Sequence, residues 1–413
     1  MEVMPSRFAS LENRDFRTLW VGGMLSFMGV QMQFFLRGIL AWELTEREDR
    51  LGLVYLVFGV ALLVATPLGG VASDRLPKRT VMLISQFAIA VSAAGMGFAV
   101  ITDIIAFWML LVSAIIQGAA FGFFGPARVS MATDIVGREN LGNALSLQSL
   151  AMNGTRVFAP SVAGALVGWS LFGIGPTYVV AAALAIAGVY VTWLLPNPPA
   201  ALTGAARPFR DIADGVRYVR ANPPIRNIVF TAFAVLIFAF SYVSFIPALV
   251  EGEFGRSEAF VGYFASASSA GALLAGFWVA GKADSPAAQS IMTVAGFTFG
   301  LMVIGLGLSP NYWVAVIVVA FAGAATTAFQ TLSNTLALQQ ARAEFQGRVQ
   351  SIMMLGFAGF GISAFPLGVL ARAIGLQPTL VLMGSVAAVS VLAYGAASGR
   401  VASPEDTRQS ASL

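Results

Sequence analysis

Cysteine and histidine are both missing from this 413-residue chain, and charged side chains make up only 11% of it. Without cysteine there is no disulfide, no thiol nucleophile and no thiolate-bound metal. Without histidine the commonest proton shuttle and metal ligand is gone, which excludes Ser-His hydrolases and His-ligated metalloenzymes. The shortage of charge excludes more. A soluble globule of this length needs a charged surface, and 57% hydrophobic residues leave too little of one. The chain therefore reads as an integral membrane protein. A net charge of +4 does not point to nucleic acid, because the cations lie in gaps between apolar runs and not in one patch. Met1 to Thr18 lacks an apolar stretch with a small-residue cleavage site and reads as a retained cytoplasmic tail.

What is present is a series of apolar runs. A helix needs roughly 20 of its residues to cross about 30 Å of hydrocarbon, where unpaired backbone groups are too costly. Dividing the chain at its polar breaks gives spans at about 18–42, 51–73, 80–102, 104–127, 143–168 and 174–195, then 226–250, 259–281, 288–308, 312–336, 348–372 and 376–398. Twelve spans put both termini on one side. That side then carries 18 of the 24 Lys and Arg residues, whereas the other holds Arg47, Arg50, Arg256 and Arg372, and only Arg37 and Arg156 fall within spans. The positive-inside rule makes the terminal side cytoplasmic.

The organisation expected is a six-helix bundle over 1–195, a cytoplasmic linker over 196–225, a second bundle over 226–398 and a disordered tail over 399–413. Within the linker, Phe209, Ile212, Val216 and Val219 have the spacing of an amphipathic surface helix. Internal repetition supports the division. Gly70-Val71-Ala72-Ser73-Asp74 aligns with Ala280-Gly281-Lys282-Ala283-Asp284, and the segment from Glu139 to Ser146 aligns with that from Glu344 to Ser351 at a similar offset.

Between the second and third spans, Gly69-Gly70-Val71-Ala72-Ser73-Asp74-Arg75-Leu76-Pro77-Lys78-Arg79 is too short for a domain and too charged for hydrocarbon. Its glycines let two helix ends approach. Asp74 can accept hydrogen bonds from a neighbouring helix N-terminus, while Arg75, Lys78 and Arg79 keep the loop on the positive side. The loop resembles the signature G-x-x-x-D-R-x-G-R-[RK] of the major facilitator superfamily, with Pro77 at the second glycine. The segments Asn13-Arg14-Asp15-Phe16-Arg17-Thr18-Leu19-Trp20 and Gly125-Pro126-Ala127-Arg128 resemble its enterobactin exporter-like and drug efflux branch.

That resemblance implies an all-α membrane protein of twelve transmembrane helices in two pseudo-symmetric six-helix bundles. It also implies a secondary transporter that is not an enzyme, has no cofactor, and exports a small amphipathic or anionic compound by alternating access. Its partners would be the bilayer, a small-molecule substrate and protons as coupling ion, with no nucleic acid, and the expected state is a monomer in the inner membrane. Two departures stand out. Val30 occupies a position before Gln31-Met32 where that branch often has an acid, and Ala159-Pro160-Ser161-Val162-Ala163-Gly164 matches the antiporter motif G-P-x-x-G-G only loosely. A receptor or assembly partner retaining the fold, and a facilitated-diffusion uptake carrier, remain competing readings.

Arg37 and Arg156 are the sharpest site candidates. A guanidinium at the bilayer centre costs about 2.5 to 3.5 kcal/mol on the insertion scale, and no Asp or Glu lies well inside any span to offset it. An anionic substrate group is one partner. The bland alternative is that Arg37 snorkels to the interface and Arg156 bonds backbone carbonyls. In the resembled fold the first, fourth, seventh and tenth helices line a central cavity, which makes Gln31, Gln33, Gln117, Ser241, Tyr242, Gln330 and Asn334 candidates for substrate contact. Interhelical hydrogen bonding is their alternative role. Gly70, Asp74, Arg75, Lys78 and Arg79, with Asp134 and Arg348, are the gating and coupling candidates, and Glu43 is a further acid available for a proton. In the outward-closed state the loop is expected to clamp the helix start at Gly347 and Arg348. Gly118 with Gly122, Gly164 with Gly168 and Gly296 with Gly300 suit close helix packing. Trp20, Trp42, Trp108 and Trp313 suit interfacial anchoring. Gly276 to Ala283 nearly spells a phosphate-binding loop, but Ala283 offers no hydroxyl to magnesium and no strand precedes it.

Overall fold

A computed structural model describes residues 9–137, 140–169, 172–196, 208–280, 282, 285–342 and 345–399. After a short turn, α1 (Ala9–Glu12), the first half holds α2 (Arg14–Glu43), α3 (Glu48–Arg75), α4 (Lys78–Ile101), α5 (Phe107–Val136), α6 (Leu141–Val167) and α7 (Ile174–Trp193). The linker contributes α8 (Pro208–Ala221). The second half holds α9 (Pro223–Ala234), continued as irregular helix to Glu253, then α10 (Glu258–Ala280), α11 (Ala288–Gly307), α12 (Tyr312–Gln340), α13 (Gln346–Ile374) and α14 (Leu376–Gly399). These make twelve rods in two sets of six, as the apolar runs predict. Among the described residues, ten are long and apolar enough to cross a membrane by length and composition, and a shorter apolar stretch runs over Ala358–Ile374 in α13.

Local chemistry sets several ends. Asn13 caps α2, its side chain accepting from the N–H groups of Asp15 and Phe16 at 2.9 and 3.1 Å. Asn311 does the same for α12 through Val314 N–H at 3.1 Å. Pro223 and Pro224 open α9, where a missing N–H costs nothing.

We call the side carrying Arg14 and Gly399 terminal, and the other distal. The halves meet along α3 with α13 and α6 with α10. Both seams rest on absent side chains at the distal ends. A Cβ at Gly52 would lie 2.3 Å from the Ala364 carbonyl oxygen, and one at Gly164 would lie 2.3 Å from Gly262 Cα. Asp49 at the distal start of α3 adds a contact to Arg372 at 3.3 Å, while also pairing with Arg47 at 2.7 Å. Trp42 belongs to this region too. It is buried against Gly252 and is not an interfacial anchor, unlike Trp108 and Trp313, which are more than half exposed. The pairs Gly118/Gly122 and Gly296/Gly300 pack within a half, the first against α3, the second against Phe329 of α12 at Gly296 and against α14 at Gly300.

The seventh rod departs from the uniform helix that its apolar run predicts. After α9 it widens to a π turn over Val235–Ala239, tightens to 3-10 over Phe240–Phe245, and widens again over Ala248–Glu253. Backbone freed by such changes must find partners inside a membrane. The Ile237 carbonyl accepts from Ser241 at 2.6 Å and from Ser363 of α13 at 2.9 Å. The two hydroxyls also lie 3.0 Å apart.

Candidate functional site

A cavity of about 510 Å³ lies between the halves, within the usual range for drug-sized ligands. It reaches from Ile246 and Pro247, near the distal seam, to Val129, Ser130 and Thr331 in the terminal half. Its wall is mostly aromatic and aliphatic. Hydroxyls enter from both halves, including Thr66, Ser268 and Thr327, and Tyr242 is hydrogen-bonded to Ser268. Arg156 is the one formally charged side chain among the described lining residues.

Arg156 projects from α6, and its Nη1 donates to Gln330 Oε1 of α12 at 3.1 Å, so the bond crosses from one half to the other. Gln330 Nε2 also approaches Thr326 Oγ1 at 3.3 Å. A guanidinium bonded to a neutral amide in a low-dielectric cleft retains its full charge, and a carboxylate or phenolate is a stronger acceptor than an amide oxygen. An anionic group of a ligand can therefore compete with Gln330 for this bond of Arg156.

At the distal end of the cavity a set of rings joins the two halves. Phe34 lies 4.8 Å from Tyr55, 5.7 Å from Phe58 and 6.0 Å from Phe360, between ring centres. Phe360 in turn lies 5.5 Å from Phe240. Edge-on and tilted contacts of this kind each add about 0.5–1.5 kcal/mol to simple burial. Three of the rings come from the first half and two from the second, so the cluster closes the cavity floor only while α3 and α13 are together.

The candidates separate into two groups. Gln31, Arg156, Tyr242 and Gln330 stand on the cavity wall. Gln33, Arg37 and Gln117 are fully buried inside the first half and are not on that wall, and Asn334 is half-buried beyond it. Arg37 does not snorkel. It is 0% exposed and its Nη2 donates to Gln117 Oε1, while Gln117 Nε2 donates to the Val30 carbonyl at 3.2 Å. Ser241 is used in the Ile237 repair described above.

The terminal loop is a tight connection, Leu76 and Pro77, between α3 and α4. Lys78 is ion-paired with Asp134 of α5, and the Arg79 guanidinium lies 5.9 Å from the Trp193 ring centre. Gly70 is half-buried in the last turns of α3, and Arg75 is exposed. The Asp74 side chain lies outside what the structure describes, as do Gly281, Asp284 and the tail after Gly399. Arg348 lies over the Phe345 ring at 5.1 Å and packs beside Gly215 of the linker helix. Tyr218 of that helix stacks on Phe345 with centres 4.0 Å apart, and its hydroxyl accepts from Arg342 N–H at 3.0 Å.

The aromatic floor, the irregular seventh rod and the hydroxyls of α10 and α12 are functional features that sequence reasoning missed. A signal was present in the repeated spacing of seven at Gly52 and Gly59 and again at Gly361 and Gly368, which marks the α3/α13 seam.

Twelve apolar rods in two matched sets, closed at one face and enclosing a polar-studded cleft, define a membrane transporter of the alternating-access class. The family model for the Major Facilitator Superfamily matches residues 19–366, and the chain belongs to that family. Among curated proteins it is 24% identical over 396 residues to the enterobactin exporter EntS of Shigella flexneri, covering 92% of this chain and 90% of that one. It is equally similar to the enterobactin exporter EntS of Escherichia coli O81 (strain ED1a). Among solved structures it superposes on the nucleoside transporter NupG with a TM-score of 0.70 at 15% identity, covering 93% of this chain and 98% of that one. A POT family transporter in complex with 5-aminolevulinic acid gives a TM-score of 0.71 at 14% identity, over 94% of this chain and 97% of the other. At such identities these structural likenesses speak to fold alone.

Proposed function

We propose that this transporter exports an amphipathic aromatic compound bearing negative charge, moving it from the terminal to the distal side as the halves rock. The observation that carries this reading is the combination, in one cleft, of aromatic walls with the Arg156 guanidinium, one of whose bonds goes to the neutral Gln330 amide across the halves. The aromatic rings supply burial for a flat apolar body, and Arg156 fixes its charged end. Export is supported by the name of the EntS relatives, which cover most of both chains. The sorting of cations supports a cytoplasmic terminal side, which puts the closed distal face away from the source of an exported compound.

Gating belongs to the same reading. The seam present here joins the distal ends of α3 and α13, the outward-closed state in which the sequence expects the loop clamp; in this reading a clamp between the Gly70 to Arg79 loop and the Arg348 end of α13 belongs instead to the opposite conformation, with the terminal side shut. Protons drive the cycle, with Glu43, Asp74 and Asp134 as the acids available to carry them.

The test is transport by the purified full-length protein in proteoliposomes loaded with enterobactin, against an uncharged aromatic of similar size. Saturable movement of the anionic compound, increased by an imposed proton gradient, is expected. Equal movement of both compounds, or no flux above empty liposomes, overturns the proposal.

A further inference from the structure

Arg37 is not used by the cavity mechanism, and its surroundings are unusual for a cation. Only Nη2 has a partner, the neutral Gln117, while Nε and Nη1 are buried without one. Around it, both amide atoms of Gln33 and the hydroxyl of Tyr178 are likewise buried and unpartnered. Gln33 lies one turn before Arg37 on the same face of α2, and Tyr178 on the packed helix α7 is within electrostatic reach of the guanidinium, as is Tyr55. No described carboxylate exerts a comparable influence on it.

The inventory of these atoms decides what they suit. Three donors lack partners (Arg37 Nε and Nη1 and Gln33 Nε2) against one acceptor, Gln33 Oε1, and the Tyr178 hydroxyl can serve as either. Burying an ion with its charge uncompensated costs several kcal/mol even after relaxation, and so many unpaired donors add to that cost. Water could satisfy the hydrogen bonds but would leave the charge. An anion satisfies both at once.

We propose that Arg37, Gln33 and Tyr178 form a second anion site inside the first half, behind the floor ring of Phe34, which takes one compact monovalent anion. Phe34, on the cavity wall, precedes Arg37 by one turn, which separates this site from the Arg156 cleft by the floor rings. Access is coupled to the conformational cycle. Tyr55 flanks the site, and a Cβ at Gly361 of α13 would come within 2.6 Å of the Tyr55 carbonyl, so parting α3 from α13 loosens this wall from the distal side. The anion is either a free halide or the carboxylate of an organic solute, which share charge, size and acceptor chemistry.

The experiment is thermal unfolding of the purified full-length protein in detergent, titrated with sodium chloride or sodium acetate against sodium gluconate at constant ionic strength. A ligand bound only by the folded state raises the midpoint, and a rise of about 2 °C or more over gluconate is expected. Chloride alone effective identifies a halide site, and acetate effective as well identifies carboxylate recognition. Arg37→Gln should lose the response and Arg156→Gln should keep it, whereas loss of transport in Arg156→Gln bears only on the cavity. Should Arg37→Gln fold poorly, Tyr178→Phe combined with Gln33→Leu should weaken the response at least several-fold. No anion-dependent shift in the unmodified protein, or a full response in Arg37→Gln, overturns the inference.

Discussion

Arg37 and Arg156, both within spanning helices, illustrate how environment, and not residue type, assigns a role. Arg156 bridges the halves through Gln330 and faces the cleft, so its bond can be traded for a ligand. Hydrogen bonds to charged groups contribute about 1.5–3 kcal/mol. Replacing Arg156 with Gln should therefore raise KM for an anionic aromatic substrate by about tenfold or more, read as initial flux into proteoliposomes, with Arg156→Lys in between because it keeps charge but loses the planar fork. At the terminal loop, Asp74→Asn should leave insertion and yield unchanged but slow transport several-fold. Equal turnover by that variant would remove the loop from the gating scheme.

Single rods show how gating is built from packing. The distal seams depend on backbone approach at Gly52 and Gly164, where any side chain would overlap a carbonyl or a facing Cα. Overpacking of this kind costs about 1–3 kcal/mol, which is enough to invert a balance between two conformations. Gly164→Val should thus favour the distal-open state, seen as increased labelling of distal cavity positions by a membrane-impermeant reagent added from that side. The seventh rod works differently. Beside its π and 3-10 turns, the Ile237 carbonyl accepts from the hydroxyls of Ser241 and Ser363. Because one of these hydroxyls sits on the same helix and the other on α13, the irregularity is anchored within the second half and can travel with it as a body.

For the molecule as a whole, the two seams and the aromatic floor form one closed face that must separate for substrate to leave. The absence of cysteine makes this directly testable. A Cβ at Gly168 would lie 3.3 Å from the Ala259 Cβ, close to the spacing that a disulfide spans. The pair Gly168→Cys with Ala259→Cys should cross-link on oxidation, stop transport, and recover on reduction. Unimpaired flux by the fully cross-linked protein would mean that this seam does not open. The sequence by itself determined the class, the number of rods and their division into two sets, because hydrocarbon thickness sets the length of every run and duplication leaves its trace in order and offset. It also pointed to Gln31, Arg156, Tyr242 and Gln330, polar residues that reach the cleft. It did not separate Arg156 from Arg37, nor foresee the burial of Trp42 or the rings around Phe34. Periodicity reports that a residue is in a span but not its azimuth about the helix, and in a chain apolar on every side no polar face fixes that angle. Only the crossing of α3 with α13 and of α6 with α10 decided which side chains face the cleft, which face each other across the seams, and which are sealed within one half.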